Sequence, residues 1–395
     1  MSTQVATGVR QRGSSIRRVT LKSGKVVWRF RLDAEPGDDG KRRQRTYTYR
    51  TERDAVEAQV SLRDAVTGGT WVDRTRLTVD EYLDSWLAAN QAHWRPSTYV
   101  SYWGALQRAR EALGSKPLQS LRKADVEALK TSMLGSGGRR KDGTTSRSPR
   151  TVALLLTILS KALDDAIREE LLRVNPVRLV RKPTQRPREM AVWTAEQMGA
   201  FLAHVEHENL AGAWHLSALG MRRGEVLGLR WSDVDLDAAV VHVRQSRVQA
   251  GRDVHTGDPK TDRGRRDVPL HSAAIAALKH TRTRTLTEST VVPLRQAHGG
   301  ERLVVVDESG EALRPDRYSD LFSEHVKAAG LPLIRLHDMR HTAATVMLGW
   351  GVPPVTVAGI LGHSPDVLLR TYAHALPSAT RDAVNVLGGL YSSGP

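Results

Sequence analysis

The chain has 395 residues and a mass of 43.7 kDa, enough at roughly 100–200 residues per domain for two or three domains. It carries 59 Lys and Arg against 43 Asp and Glu, a formal net charge of +16, and it has no cysteine. That excludes disulfide scaffolds, thiolate metal sites and thiol nucleophiles. No apolar run approaches the roughly 18 residues of a membrane span, and the N-terminus MSTQVATGVRQRG lacks the apolar stretch of a signal peptide. Residues 1–75 hold 16 basic and 9 acidic side chains, residues 76–180 hold 17 and 11, and residues 181–395 hold 26 and 23, so most of the excess lies in the first half. The 47 Arg outnumber the 12 Lys, and a guanidinium favours bidentate phosphate contacts. The expectation is a soluble cytoplasmic protein with a polyanionic partner and no membrane attachment. Charge alone does not choose between DNA, RNA and an acidic membrane surface.

Residues 16–31, IRRVTLKSGKVVWRFR, alternate loosely about Ser23-Gly24 and predict a hairpin. RRQRTYTYR at 42–50 predicts a third strand, with Tyr47 and Tyr49 on one face and Arg43 and Arg45 beside them. A helix is expected over 51–66. This small module has a basic sheet that could enter a DNA groove, with Arg42, Arg43 and Arg45 as candidate contacts; a merely solvated basic face is the competing reading. Residues 77–180 read as four helices. Thr78 and Glu81 have capping-box spacing, with Leu77 and Tyr82 placed as a staple. Val79, Tyr82, Leu83, Trp86 and Leu87 form one apolar stripe. Further helices are expected over 97–113, ending at Gly114, and over 124–134. A Gly/Ser/Arg loop at 135–148 offers Arg139 and Arg140 as DNA-contact candidates, and Arg150 follows at the start of a helix opened by Ser148-Pro149. That helix is expected to run to Leu172. The aromatic residues here fit a helical core better than base stacking.

RKPTQRPRE at 181–189 is a linker. Thr194 and Gln197 then open a helix. A strand is expected within 231–248, a turn and return strand within 251–270, and helices near 271–282, 317–329, 338–349, 354–361 and 366–374. The fold class is therefore α+β and multidomain. It comprises a three-stranded sheet plus helix, a helical domain, and a mixed, mainly helical domain with a β-hairpin.

Four segments of the last region stand out: Gly220-Met221-Arg222-Arg223-Gly224-Glu225, Pro259-Lys260-Thr261, Leu336-His337-Asp338-Met339-Arg340-His341-Thr342, and Leu361-Gly362-His363-Ser364 followed by Tyr372. Singly they are weak. Arg222 could be a surface arginine, Lys260 a solvated turn lysine, His363 a helix-end cation and Tyr372 a core tyrosine. His337 and His341 have zinc-ligand spacing. However, the zinc-protease pattern needs Glu directly after the first histidine, and no third ligand is evident. Together, two arginines, a lysine and two histidines supply up to five donors. Such a set suits a phosphoryl transition state, whose charge spreads over non-bridging oxygens. Tyr372 adds a phenolic nucleophile that needs a positive neighbourhood to react near neutral pH. Glu225 is placed to hold a guanidinium or imidazole. No G-x-S-x-G elbow and no nucleotide-binding Gly-rich motif occurs.

These segments, in this order and spacing, resemble the catalytic motifs of the tyrosine recombinases, and the whole chain resembles their phage-type integrases. Arg222 falls on the family's first arginine, Lys260 on its hairpin lysine, His337 and Arg340 on its H-x-x-R, His363 on its L-G-H histidine and Tyr372 on its nucleophile. Ala218-Leu219 depart from relatives that often carry Thr before the glycine; the position packs rather than reacts. The resemblance implies an arm-type DNA-binding module over 1–70 and a helical core-binding (SAM-like) domain over 76–180. It implies a catalytic domain over 185–395 whose stretch 377–392 forms a C-terminal tail helix, docked on a neighbouring protomer or on its own domain. It also implies attack by Tyr372 on a DNA phosphodiester to give a 3′-phosphotyrosyl link. Lys260 would protonate the departing 5′ oxygen, Arg222 and Arg340 would clamp the phosphate, His337 would serve as acid/base and hydrogen-bond partner, and His363 would donate to a non-bridging oxygen. No cofactor, metal or ATP is called for. The implied partners are double-stranded attachment sites, three further protomers in a homotetramer, and a host bending factor or excisionase, in the nucleoid-associated cytoplasm of a bacterial host. A type IB topoisomerase-like enzyme, a non-enzymatic DNA-binding protein and a metal-dependent nuclease are the competing readings.

Overall fold

A computed structural model of the chain describes residues 16–34, 43–67, 75–135, 147–184, 190–288 and 302–372. The chain divides into two compact units. One comprises residues 1–90 and 102–185, the other 91–101 and 186–395.

In the first unit, β1 (Arg17–Thr20), β2 (Val26–Ala34) and β3 (Arg43–Tyr49) form an antiparallel sheet in chain order. Gly24 supplies the turn between β1 and β2 at φ +77°, and its N–H donates to the Leu21 carbonyl. α1 (Glu52–Thr67) packs on β2 and β3. Phe30 is buried and stacks on Tyr47 and Tyr49, with ring centroids 5.2 and 5.9 Å apart. The two tyrosines therefore help to build the module's small core.

Four helices follow: α2 (Val79–Asn90), α3 (Pro96–Leu113), α4 (Lys123–Gly135) and α5 (Pro149–Arg168). The Thr78 N–H donates to Glu81 Oε2 at 2.8 Å and the Glu81 N–H to Thr78 Oγ1 at 3.2 Å, the expected reciprocal cap. The stripe Val79, Tyr82, Leu83, Trp86 and Leu87 is buried as one face. Ser148 caps α5, accepting from the Thr151 N–H at 3.2 Å with Pro149 in the first turn. α5 stops at Arg168, four residues short of the expected end. Glu170 adopts φ +58°, and the Leu171 N–H returns to the Ala166 carbonyl, a left-handed termination that the apolar pattern through Leu172 concealed.

The second unit opens with α6 (Ala195–His204), capped reciprocally by Thr194 and Gln197. α7 (Ala211–Ala218) and α8 (Arg223–Gly228) are helices the sequence reading passed over. α7 is buried on all sides, so it carries no amphipathic signature. The expected single return strand is instead two pairings. β4 (Val234–Asp235), β5 (Val240–Val243) and β8 (Arg266–Pro269) form one antiparallel sheet, and β6 (Ser246–Ala250) and β7 (Asp253–Gly257) form a separate hairpin turned at Gly251. Five helices complete the unit: α9 (Ser272–Glu288), α10 (Pro315–Ala328), α11 (Leu336–Gly349), α12 (Pro354–Leu361) and α13 (Pro365–Tyr372). Its main core centres on Trp193, Phe201, Trp214, Tyr318 and Phe322. The Trp214 and Tyr318 rings stack at 4.4 Å, and the Tyr318 hydroxyl is 2.8 Å from Ser217 Oγ and donates to the Ala213 carbonyl at 3.0 Å. A second cluster joins α11, α12 and α13 through Ala344, Leu348, Val357, Ala358, Leu361, Leu368 and Tyr372. No helix among the described residues is long and apolar enough to cross a membrane.

Candidate active site

The site lies where the turn before α8, the start of α11 and the turn between α12 and α13 meet. Gly220 makes this approach close. Its φ is +88°, and a Cβ there would fall 2.3 Å from Leu361 Cδ2, so a side chain would be both strained and blocked. Its carbonyl and that of Leu361 accept from Arg340 Nη1 and Nη2 at 2.5 and 2.6 Å, which fixes the buried Arg340 guanidinium. Burial lowers the Arg340 pKa, with the Arg222 charge acting in the same direction, although a guanidinium stays charged at neutral pH.

Arg222 sits just ahead of α8. Its Nη1 donates to Glu225 Oε1 at 2.7 Å and its Nη2 to the Gly362 carbonyl at 3.0 Å. Its backbone N–H donates to Glu225 Oε2 at 2.8 Å, which caps the helix. Glu225 is only 2% exposed and also receives Arg266 Nη2 at 2.9 Å. Burial alone would raise the Glu225 pKa. The Arg266 hydrogen bond and charge, the Arg222 charge and the Arg222 N–H outweigh that and hold it below the ordinary carboxylate range. Arg266 further donates to the Ile360 carbonyl at 2.6 Å and the Gly264 carbonyl at 3.2 Å, tying β8 to the end of α12. Glu225 thus orients two guanidiniums, as its position three after Arg222 suggested for one.

The N-terminus of α11 is held by Asp338, which accepts from the Arg335 N–H and, through both oxygens, from the Arg335 guanidinium. Thr342 Oγ1 donates to the Asp338 carbonyl and accepts from the Trp193 N–H at 3.0 Å, docking α11 on the main core. His337 reaches solvent, yet crowding of its ring and the charges of His341 and Arg340 lower its pKa. His363 follows the left-handed cap Gly362, whose φ is +65°. Burial and the charges of Arg340 and Arg222 push the His363 pKa down to about 3, so the imidazole is neutral at pH 7. Two buried nitrogens of this set, Arg340 Nε and His363 Nδ1, have no hydrogen-bond partner among the described residues.

Tyr372 ends α13 and is fully buried. Its hydroxyl lies 2.5 Å from Nδ1 of His341. Burial pushes its pKa up to about 12; the Arg340 charge works against that shift and Asp338 adds to it. The positive neighbourhood expected to activate the phenol is present, but in this closed arrangement burial wins.

Arg222, Glu225, Arg340, His363 and Tyr372 are thus gathered by these turns. Lys260 lies apart from them in its hydrogen bonding. It is exposed in the connection between β7 and β8, four residues before Gly264, whose carbonyl Arg266 engages. Among the DNA-contact candidates, Arg150 is exposed in the first turn of α5, and Arg43 and Arg45 pair in register with Ala34 and Leu32. Arg42, Arg139 and Arg140 lie outside the described residues, as does the expected tail helix at 377–392. Two members of the site were not singled out from sequence. His341 was visible only as half of a zinc-like pair. Arg266 stood in the run Arg263-Gly264-Arg265-Arg266, where nothing separates a buried arginine from its exposed neighbours.

Residues 192–378 match the family model described as the phage integrase family. The chain is 24% identical over 393 residues to a tyrosine recombinase XerC-like protein of Caldanaerobacter subterraneus subsp. tengcongensis, covering 94% of this chain and 98% of that protein. It is 26% identical over 359 residues to the integrase of Mycobacterium phage L5, covering 87% and 90%. In fold it resembles the Tn1549 transposon integrase solved with a circular intermediate DNA, at a TM-score of 0.64, 21% identity, and 79% and 99% coverage. It also resembles a lambda integrase tetramer solved on a Holliday junction, at a TM-score of 0.52, 17% identity, and 89% and 94% coverage. With the site's residues placed as above, residues 192–378 are a match to the phage integrase family, in a chain that is similar over most of its length to tyrosine recombinases and phage integrases.

Proposed function

We propose that the chain is a site-specific DNA recombinase that integrates and excises a phage or other mobile element through a 3′-phosphotyrosyl intermediate. The observation that carries this reading is the pair of buried, unpartnered nitrogens, Arg340 Nε and His363 Nδ1, with the Arg340 charge acting on the nucleophile candidate Tyr372. Leaving a buried polar nitrogen unpaired costs about 1–3 kcal/mol, a cost that a phosphate oxygen would relieve at Arg340 Nε and, in the Nδ1–H tautomer, at His363. The phenolic oxygen of Tyr372 attacks phosphorus and the P–O5′ bond breaks. Arg222 and Arg340 neutralise the non-bridging oxygens, His363 donates to one of them, His337 serves as acid/base and hydrogen-bond partner, and Lys260 protonates the leaving 5′ oxygen. The link preserves the phosphodiester energy, so rejoining needs no ATP. With cationic side chains holding the phosphate, the step does not call for a metal.

The domain assignment that goes with this is arm binding over 1–70, core binding over 76–180 and catalysis over 185–395. Arg42, Arg43, Arg45, Arg139, Arg140 and Arg150 would contact the backbone of the attachment sites. The lambda integrase solved as a tetramer on a Holliday junction supports a homotetramer spanning two DNA sites. A host bending factor or excisionase would set direction, and the complex would work on the nucleoid of a bacterial host.

The reading is tested with a plasmid carrying the DNA that flanks the gene, incubated with the chain in EDTA without ATP and quenched in SDS. Protein linked to a 3′ DNA end is expected. A specific footprint without any adduct would make the chain a non-catalytic DNA-binding protein. Lys260→Ala should lower adduct formation on the order of 10²-fold or more, the usual range for a lost general acid. A 5′-phosphorothiolate substrate, whose leaving group needs no proton, should restore it. Failure of that rescue would remove Lys260 from the general-acid role.

A further inference from the structure

The resemblance assigns acid/base work to His337, but the hydrogen bond to the nucleophile is made by His341. Its Nδ1 is 2.5 Å from the Tyr372 hydroxyl, and the two rings lie 5.6 Å apart at 49°. His341 is one turn beyond His337 on α11, and the two imidazoles meet edge to face at 4.9 Å. The tyrosine is fully buried and His341 half-buried, so this pair occupies the joint between α11 and α13.

We propose that His341 is a catalytic residue that accepts the phenolic proton of Tyr372 as it attacks the phosphodiester, an inference that rests on the recombinase reading above. The groups facing His341 are Asp338, Arg340 and His337 on its own helix, Arg335 at the cap of that helix, Tyr372 from α13 and His363 from the turn after α12. Burial lowers the His341 pKa; Asp338 opposes this, and Arg340 and Arg335 reinforce it. At neutral pH the imidazole is therefore uncharged. In the tautomer that this step requires, the hydroxyl donates and Nδ1 accepts. The other ring nitrogen, Nε2, then carries the hydrogen.

In cleavage, the phenolic oxygen bonds to phosphorus and the P–O5′ bond breaks. The phenolic proton passes to His341 Nδ1, and the departing 5′ oxygen takes a proton from Lys260. Proton transfer and attack occur together, because a phenol this weakly acidic would not ionise alone onto a neutral imidazole. Rejoining reverses each transfer. The 5′ hydroxyl gives its proton to Lys260, the phosphotyrosyl bond breaks, and the imidazolium returns its proton to the phenolate.

The experiment is single-turnover adduct formation on a linear duplex of the DNA flanking the gene, with the full chain, its His341→Ala and His341→Gln variants, and a footprint of each. Glutamine can hold the hydroxyl by a hydrogen bond but takes no proton at neutral pH. Both variants should retain the footprint and form adduct on the order of 10²-fold more slowly at pH 7. Added imidazole should recover part of the Ala variant's rate. The parent's rate should fall as pH drops through the lowered His341 pKa, and the variants should lack that fall and climb toward the phenol's own ionisation. If the Ala variant loses its footprint, the Gln variant carries the test. A Gln variant at the parent's rate would make His341 a positioning residue only and overturn the proposal. A parent chain that forms no adduct would overturn the recombinase reading itself.

Discussion

Tyr372→Phe will bind attachment-site DNA as the parent chain does and will form no covalent adduct. The ring of Tyr372 packs with Leu368, Leu361 and Ala344 in the cluster joining α11, α12 and α13, and phenylalanine fills the same volume. Only the hydroxyl is lost, and with it the hydrogen bond to His341. Leaving that imidazole nitrogen unpaired costs about 1–2 kcal/mol, moderated because His341 is only half-buried. The fold survives a loss of that size in a protein whose stability is typically about 5–15 kcal/mol. The chemistry should not, because the lost oxygen is the proposed nucleophile, and removing a nucleophile commonly costs on the order of 10⁴-fold or more. SDS-resistant adduct on flanking DNA, read beside a footprint, checks both halves. Residual adduct would move the nucleophile elsewhere. A lost footprint would mean that the hydroxyl shapes the fold rather than the reaction.

As placed here, Tyr372 is a weak nucleophile. The phenol is fully buried and its pKa is raised to about 12, so two conditions precede reaction. On the proposed mechanism, a phosphate must reach Arg340 Nε and His363 Nδ1, and the Tyr372 hydroxyl must pass its proton to His341 as it attacks. Before that, the phenol is a cluster residue like Leu368.

Much of the site was legible in sequence because its members sit in short segments whose local chemistry constrains them. Arg222 and Glu225 are three apart, so one carboxylate serves both the helix cap and the guanidinium. Gly362 before His363 is a left-handed helix end, a position that glycine announces. Thr78, Ser148 and Thr194 opened their helices by the same local rule. The rest depended on tertiary placement. Nothing local marks Arg266 as the arginine of its run that is buried on Glu225. The partner of His341 is 31 residues away on another helix, so only its spacing to His337 was visible, a zinc-like spacing without a third ligand. α7 was missed because a helix buried on all sides has no period to read. The early end of α5 was missed because Glu170, not a glycine, takes the left-handed conformation.

Glu225→Gln should be the most damaging substitution outside the reacting groups, in stability and in rate together. The Glu225 side chain is 2% exposed and that of Arg266 is 7% exposed, so the pair is shielded from solvent, while Arg222, on the same carboxylate, is about a third exposed. Removing one partner of a buried ion pair typically costs about 3–5 kcal/mol, because the other charge stays behind uncompensated. Glutamine keeps one accepting oxygen, and its NH2 then faces a guanidinium that can only donate. One of the two guanidiniums would lose its carboxylate oxygen, leaving either Arg266 with only its Ile360 and Gly264 carbonyl partners or Arg222 without the oxygen that orients it. We expect the unfolding midpoint to fall and adduct formation to drop on the order of 10²-fold, by analogy with other preorganised donors. The pH dependence has a definite sign. The folded pKa of Glu225 lies below its ordinary value of 4.5, so its contribution to stability is fully present above that value. It is lost as pH falls below 4.5 and through the folded pKa. The parent should therefore lose stability over that acidic window more steeply than Glu225→Gln, whose stability is already reduced at pH 7. Parallel curves for the two proteins, measured by thermal unfolding from pH 7 down to pH 3, would show that Glu225 does not carry the charge on which both arginines rest.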